Sequence, residues 1–200
     1  DATAVGSANL AGRASTAIGR GNEADSIGST ALGNLNVGSG SNSTAVGIVN
    51  HATGNWTTAL GSANEASGAG ATAVGRSNQA SGENASAYGH ENTAAGAHAT
   101  ALGRENLAAG EASTAVGFSN TTNAGAGSAF GSNNVVDGDF GTAVGYRNTA
   151  AGDSSLAIGF VSEAHGAGSV AVGNGAIAHG EDSVAIGTGS VAGRANVVSI

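Results

Sequence analysis

Small and apolar residues alternate in short bursts along this chain, and the bursts recur in register. Each ends in Ala-(apolar)-Gly, as in Thr142-Ala143-Val144-Gly145 and Leu156-Ala157-Ile158-Gly159. The glycines fall at Gly6, Gly19, Gly33, Gly47, Gly61, Gly75, Gly89, Gly103, Gly117, Gly131, Gly145, Gly159, Gly173 and Gly187. The first step is 13 residues and every later one is 14. A fixed short period over a whole chain marks a repeat architecture, whose units bury surface against their neighbours. Residues 1–200 therefore read as one array of fourteen units, not as separate globular domains.

Position counts from each glycine give the elements. Two residues before it stands Ala in all fourteen units, and one before stands a larger apolar residue such as Val5, Leu32, Tyr88 or Phe130. Three before is Thr or Ser through the first eleven units, then Leu156, Val170 and Val184. Alternation of period two predicts a strand whose successive side chains take opposite faces. A second strand follows a turn. Three past the glycine is Asn, from Asn9 to Asn148, then Ser162, Ala176 and Ser190; five past is usually Ala. The positions four and six past vary and are often polar, so they are expected to face water. A second glycine seven past, as at Gly68 and Gly82, is read as a turn position needing positive φ. Strand, turn, strand, turn makes one coil of a flattened parallel β-solenoid.

On the first strand, size suggests that the Thr/Val and apolar ranks fill the roll. The Ala and Gly rank is then expected to point outward as a close-approach interface, through Ala59, Ala73, Ala87, Ala101, Ala115, Ala129 and Ala143. The Thr and Asn ranks end in the same unit: where Thr becomes Leu or Val, Asn becomes Ser or Ala. Hydroxyl and carboxamide facing each other would explain this, because removing one alone strands a buried polar group. Recent duplication of eleven units is the alternative.

Composition narrows the class. Gly is 36 of 200 residues and Pro is 0. Proline-free, glycine-rich sequence with held register fits strands and tight turns, not collagen or disorder. Aromatics are 4%, so the interior must be narrow. Without Cys there are no disulfides or thiolate metal sites. Lys is absent and the formal charge is −8, which argues against nucleic acid as partner. No apolar run approaches the roughly 18 residues of a membrane-spanning helix, so no direct membrane insertion is expected. The chain opens at Asp1 without a signal peptide and starts and stops mid-repeat, as a segment of something longer would.

Two late units carry a resemblance. Ser169-Val170-Ala171-Val172-Gly173 and Ser183-Val184-Ala185-Ile186-Gly187, with Ala176, Ala178 and Gly180 between them, resemble the head repeat of the YadA-like trimeric autotransporter adhesins. The resemblance covers essentially the whole chain. It implies a left-handed parallel β-roll, a parallel homotrimer, and display as a head at the Gram-negative outer membrane. Val197-Val198-Ser199-Ile200 resembles the start of the family's neck. Thr and Asn stand where the family phrase prefers Val and Ser. Gly125 arrives one residue late and Gly193 early, so irregular turns are expected there.

Chemical candidates are sparse. His165 and His179 share an outward slot in adjacent coils and should stack about 4.8 Å apart. Two imidazoles lack the further ligands of a metal site. The Asp137-Gly138-Asp139 turn occurs once, and nothing supplies a nucleophile or oxyanion donors. Neither an enzyme, a cofactor nor a metal is expected. An adhesin head is expected instead, contacting host extracellular-matrix or cell-surface macromolecules through a strip of Trp56, Glu65, Gln79, Thr93, Leu107 and Val135. Phe118, Tyr146 and Phe160 share the slot after the glycine with Arg20, Arg76 and Arg104, and are read as contacts between subunits. A structural spacer is the alternative. An ice-binding solenoid is the lesser one, because its Thr rank would need a second outward Thr two residues away.

Overall fold

A computed structural model describes all 200 residues as strands, turns and bends, without helix. The chain divides into two compact units, Asp1–His98 and Ala99–Ile200, where the sequence reads as one uninterrupted array. Each unit holds seven of the fourteen coil glycines.

In the first unit, five-residue strands such as Thr44–Ile48, Thr58–Ser62 and Thr72–Arg76 lie parallel and in register, Ala on Ala and Gly on Gly. Two-residue strands, including His51–Ala52, Glu65–Ala66 and Gln79–Ala80, form the opposite parallel sheet. The second unit repeats the plan, with Thr114–Phe118, Ser128–Ser132 and Thr142–Tyr146 on one side. Thr121–Thr122, Val135–Val136 and Thr149–Ala150 lie on the other. Val198 and Ser199 pair in parallel with Val184 and Ala185, adding one more rung. Both units are thus stretches of parallel β-solenoid, together about fourteen coils.

The first strand faces the other way from the sequence expectation. Ala59, Ala73, Ala87, Ala101, Ala115, Ala129 and Ala143 are fully buried inside their own chain, so none of them is an outward interface. The larger apolar rank points out, with Leu60 43% and Leu102 45% exposed. The physical reason is thickness. Across the roll, Ala meets Ala, Ser and Asn from the facing sheet, and side chains of Leu or Phe size find no room between them. Val136, the largest fully buried apolar side chain, fits only where two coils supply Gly127 and Gly141. A Cβ on either glycine would come within about 3 Å of its Cγ1, at 3.0 Å and 2.9 Å.

The Asn rank is inward as expected, but it does not meet Thr. Asn64 Nδ2 donates to Leu60 O at 3.0 Å, to Gly75 O at 2.8 Å and to Asn50 Oδ1 at 2.9 Å. Its own Oδ1 accepts from the backbone N–H and Nδ2 of Asn78. The coil glycine explains the need. Gly61 has φ +122°, a conformation closed to L side chains, and a Cβ there would collide with the Gly75 carbonyl. The Leu60 and Gly75 carbonyls beside it take the Asn64 amide as donor. Ser162 does the same work with one hydroxyl, reaching Ile158 O at 3.1 Å and Gly173 O at 2.7 Å. The joint loss of Thr and Asn therefore has no contact behind it.

The turns differ too. Gly68 and Gly138, seven past their coil glycines, do not have positive φ; a Cβ on either would strike the carbonyl of the next coil's glycine. The left-handed positions fall two and nine past, and most carry side chains: Leu35, Val49 and Val161 at the first, Trp56 and Phe140 at the second. At the late Gly125, Ala124 takes the usual glycine position and Ala126 keeps the left-handed conformation, so the turn pattern holds.

Candidate interaction surfaces

Outward ranks are what this roll offers. In the first unit the apolar rank runs Val5, Ile18, Leu32, Val46, Leu60, Val74 and Tyr88, each paired in register with the next. The second unit has a rank of the same kind, which includes Leu102, Val116, Phe130, Val172 and Ile186. Half-buried Thr or Ser residues, among them Thr58, Thr72 and Ser86, run beside it on the same face. That Thr rank is outward, contrary to expectation, yet its partner two residues on is apolar. The paired Thr ranks of an ice-binding face are absent.

Bordering the apolar rank is the slot after the glycine. Tyr146 and Phe160 stack with ring centroids 5.3 Å apart and an interplanar angle of 15°. Arg104 lies over the Phe118 ring at 5.4 Å and pairs with Glu105 at 2.8 Å. These contacts order two pairs of long side chains in one rank, with Ser132 between the pairs.

The opposite sheet carries the residues that the sequence reading expects to make contacts. Glu65 and Gln79 are exposed and pair in register, and Thr93 follows, half-buried. In the second unit Leu107 and Val135, both half-buried, flank Thr121 in the same rank. Trp56 stands apart from this strip at a turn, 67% exposed with φ 56°. Sequence reasoning missed its counterpart. Phe140 holds the same turn position, 69% exposed with φ 59°, and with Glu111 and Asp139 walls a shallow depression of about 230 Å³. The signal was available, since this slot elsewhere carries Gly, Ala, Ser or Asn in most coils.

His165 and His179 stack as expected, 5.1 Å apart at 13°, with His165 Nε2 2.9 Å from Glu163 Oε2. No three His, Asp or Glu side chains converge as metal ligands.

Repeated parallel coils with an Ala and Asn interior and an apolar outer rank can now be set beside known proteins. The profile described as YadA head domain repeat (2 copies) matches residues 11–36, 39–64, 52–78, 66–92, 80–106, 94–120, 123–148, 137–162 and 164–190. The chain belongs to the YadA head family. That family carries an adhesin-type role in trimeric autotransporters and is generally non-enzymatic. A search of curated proteins returns no match. The nine matched stretches fall in both compact units, so each carries YadA head repeats.

Proposed function

We propose that this chain is the adhesive head of a trimeric autotransporter, displayed at the bacterial outer membrane and binding host matrix or cell-surface macromolecules. The observation that supports it is the outward apolar rank of a YadA head repeat array. A rank of Leu, Val, Ile, Tyr and Phe left in water on every coil favours self-association over a solitary chain. Three parallel copies meeting along this rank would cover it, with the line of Arg104, Phe118, Tyr146 and Phe160 at the margin of contact.

The opposite sheet then faces outward from the assembly. In the first unit Glu65, Gln79 and Thr93 are its candidate contacts, with Trp56 as a bulky turn anchor; in the second Leu107 and Val135 are, with Phe140, the type of side chain that dominates interfaces. Many copies on one cell raise the effective concentration of weak contacts, so adhesion needs no deep pocket. Binding requires no chemistry.

Beads coated densely with the folded oligomer test this. They should hold to matrix proteins or host cells, and Trp56→Ala with Gln79→Arg should weaken retention while leaving the fold unchanged by circular dichroism. Dense beads that bind nothing across a broad panel would favour the spacer reading instead.

A further inference from the structure

Four Asn-X-Ser/Thr tripeptides occur in the chain: Asn42-Ser43-Thr44, Asn55-Trp56-Thr57, Asn84-Ala85-Ser86 and Asn120-Thr121-Thr122. The motif sets a hydroxyl two residues beyond a side-chain amide, which is what an asparagine N-glycosyltransferase reads. Transfer needs that amide free of protein partners and the hydroxyl within the enzyme's reach. The coil sorts the four on those terms.

Asn120 fails the first. It is fully buried, and its Nδ2 donates to Val116 O at 3.0 Å, Gly131 O at 2.8 Å and Asn106 Oδ1 at 3.0 Å. Asn55 is exposed but fails both, since its Oδ1 accepts from the Ser41 N–H at 3.1 Å. Its Thr57 is buried, and the Thr57 hydroxyl donates to Gly54 O at 2.7 Å.

Asn42 and Asn84 pass both. They hold the same turn position nine past a coil glycine, both exposed and both left-handed, at φ 55° and 53°. Neither side-chain amide makes a hydrogen bond to protein. Each Oδ1 packs over the turn glycine of the preceding coil, Gly28 or Gly70, where any Cβ would collide with it. The hydroxyl residues Thr44 and Ser86 open long strands on the outward, half-buried rank. Both sites lie on one turn edge of the first unit, three coils apart, about 14 Å at the strand spacing.

We infer that Asn42 and Asn84 are acceptor sites for N-linked glycosylation by a transferase using a diphosphate-activated sugar. Asn Nδ2 attacks the anomeric carbon, and the new C–N bond replaces the bond from that carbon to the diphosphate oxygen. The diphosphate leaves with the electron pair, and one Nδ2 proton passes to a base of the transferase. No oxidation or reduction is involved. The donor is either a nucleotide sugar or a lipid-linked sugar, which share this chemistry. The inference needs only the folded single chain and not its adhesive role: Thr44 and Ser86 lie on the face proposed to be covered by trimerisation, so transfer precedes assembly.

Glycopeptide mapping of the chain recovered from the cells that make it decides the matter. Sugar is expected on Asn42 and Asn84 and not on Asn120. Asn42→Gln and Asn84→Gln should each remove one modified site, and Thr44→Val should remove the sugar from Asn42 while leaving the amide in place. A sugar built singly from hexoses indicates the nucleotide donor; one oligosaccharide delivered whole indicates the lipid-linked donor. Chain that carries no sugar at either residue overturns the inference. So does folded chain treated with a soluble N-glycosyltransferase and UDP-glucose that is modified at Asn120 as readily as at Asn42.

Discussion

Replacing Asn64 by Ala removes more from this protein than any change of similar size on its surface. The amide donates to two backbone carbonyls and to Asn50 Oδ1, and accepts from the backbone and side chain of Asn78. Loss of the Asn64 Oδ1 leaves the Asn78 N–H, in the closed interior, without its acceptor. A buried unpaired group costs about 1–3 kcal/mol, and an ordinary hydrogen bond contributes about 0.5–1.5 kcal/mol net. The two carbonyls are only part-buried and recover some water, so the total comes to about 3 kcal/mol. Asn64→Ser keeps a donor for both carbonyls, in the way Ser162 reaches Ile158 and Gly173. It should lose about half as much. Thr58→Ala, on the outward rank one strand earlier, should cost about 0.5 kcal/mol or less. Denaturant unfolding of the three variants at one fixed protein concentration gives the comparison, since self-association shifts apparent stability. If Asn64→Ala costs no more than Thr58→Ala, the Asn ladder is not what secures the coil.

Thr58→Val combined with Asn64→Ala should be additive, because the two ranks face opposite ways, whereas Asn50→Ala with Asn64→Ala should couple; double-mutant cycles read both. Gly127→Ser should destabilise by crowding Val136 Cγ1, and Val136→Ala should rescue it, with thermal unfolding as the measure. Val49→Asn should stabilise by about 0.5–1 kcal/mol in the same assay, since Asn tolerates the left-handed φ of 56° that a β-branched residue resists. Ala101→Leu should unfold or loosen the roll itself by about 1–3 kcal/mol or more, visible as a lower midpoint even where association persists.

The period, the two strands per coil and the inward Asn and Ala of the second strand were all legible from spacing. So were the outward strip of Glu65, Gln79 and Thr93 and the stacking of His165 on His179. Period-two alternation says which residues share a face but not which face is inside. Size decides the face only on the premise that Val, Leu and Phe seek the core. That premise needs an interior thick enough for them, and this one admits Ala, Ser, Asn, two Thr and a single Val. A better cue was in the chain: Ala never varies across fourteen coils, while the rank beside it ranges from Val to Tyr and Phe. An interior position is the one that tolerates no growth. Glycine does not mark the left-handed turns here: most of those positions carry side chains, whereas close backbone approach holds Gly68 and Gly138.

Sedimentation equilibrium of the folded chain, alone and with Leu60→Glu and Leu102→Glu together, reads whether the outward apolar rank joins subunits. A species of three chains is expected, falling to single chains in the double variant with the β-sheet circular dichroism retained. A wild-type chain that stays a folded monomer at high concentration, or a trimer untouched by both charges, would contradict it.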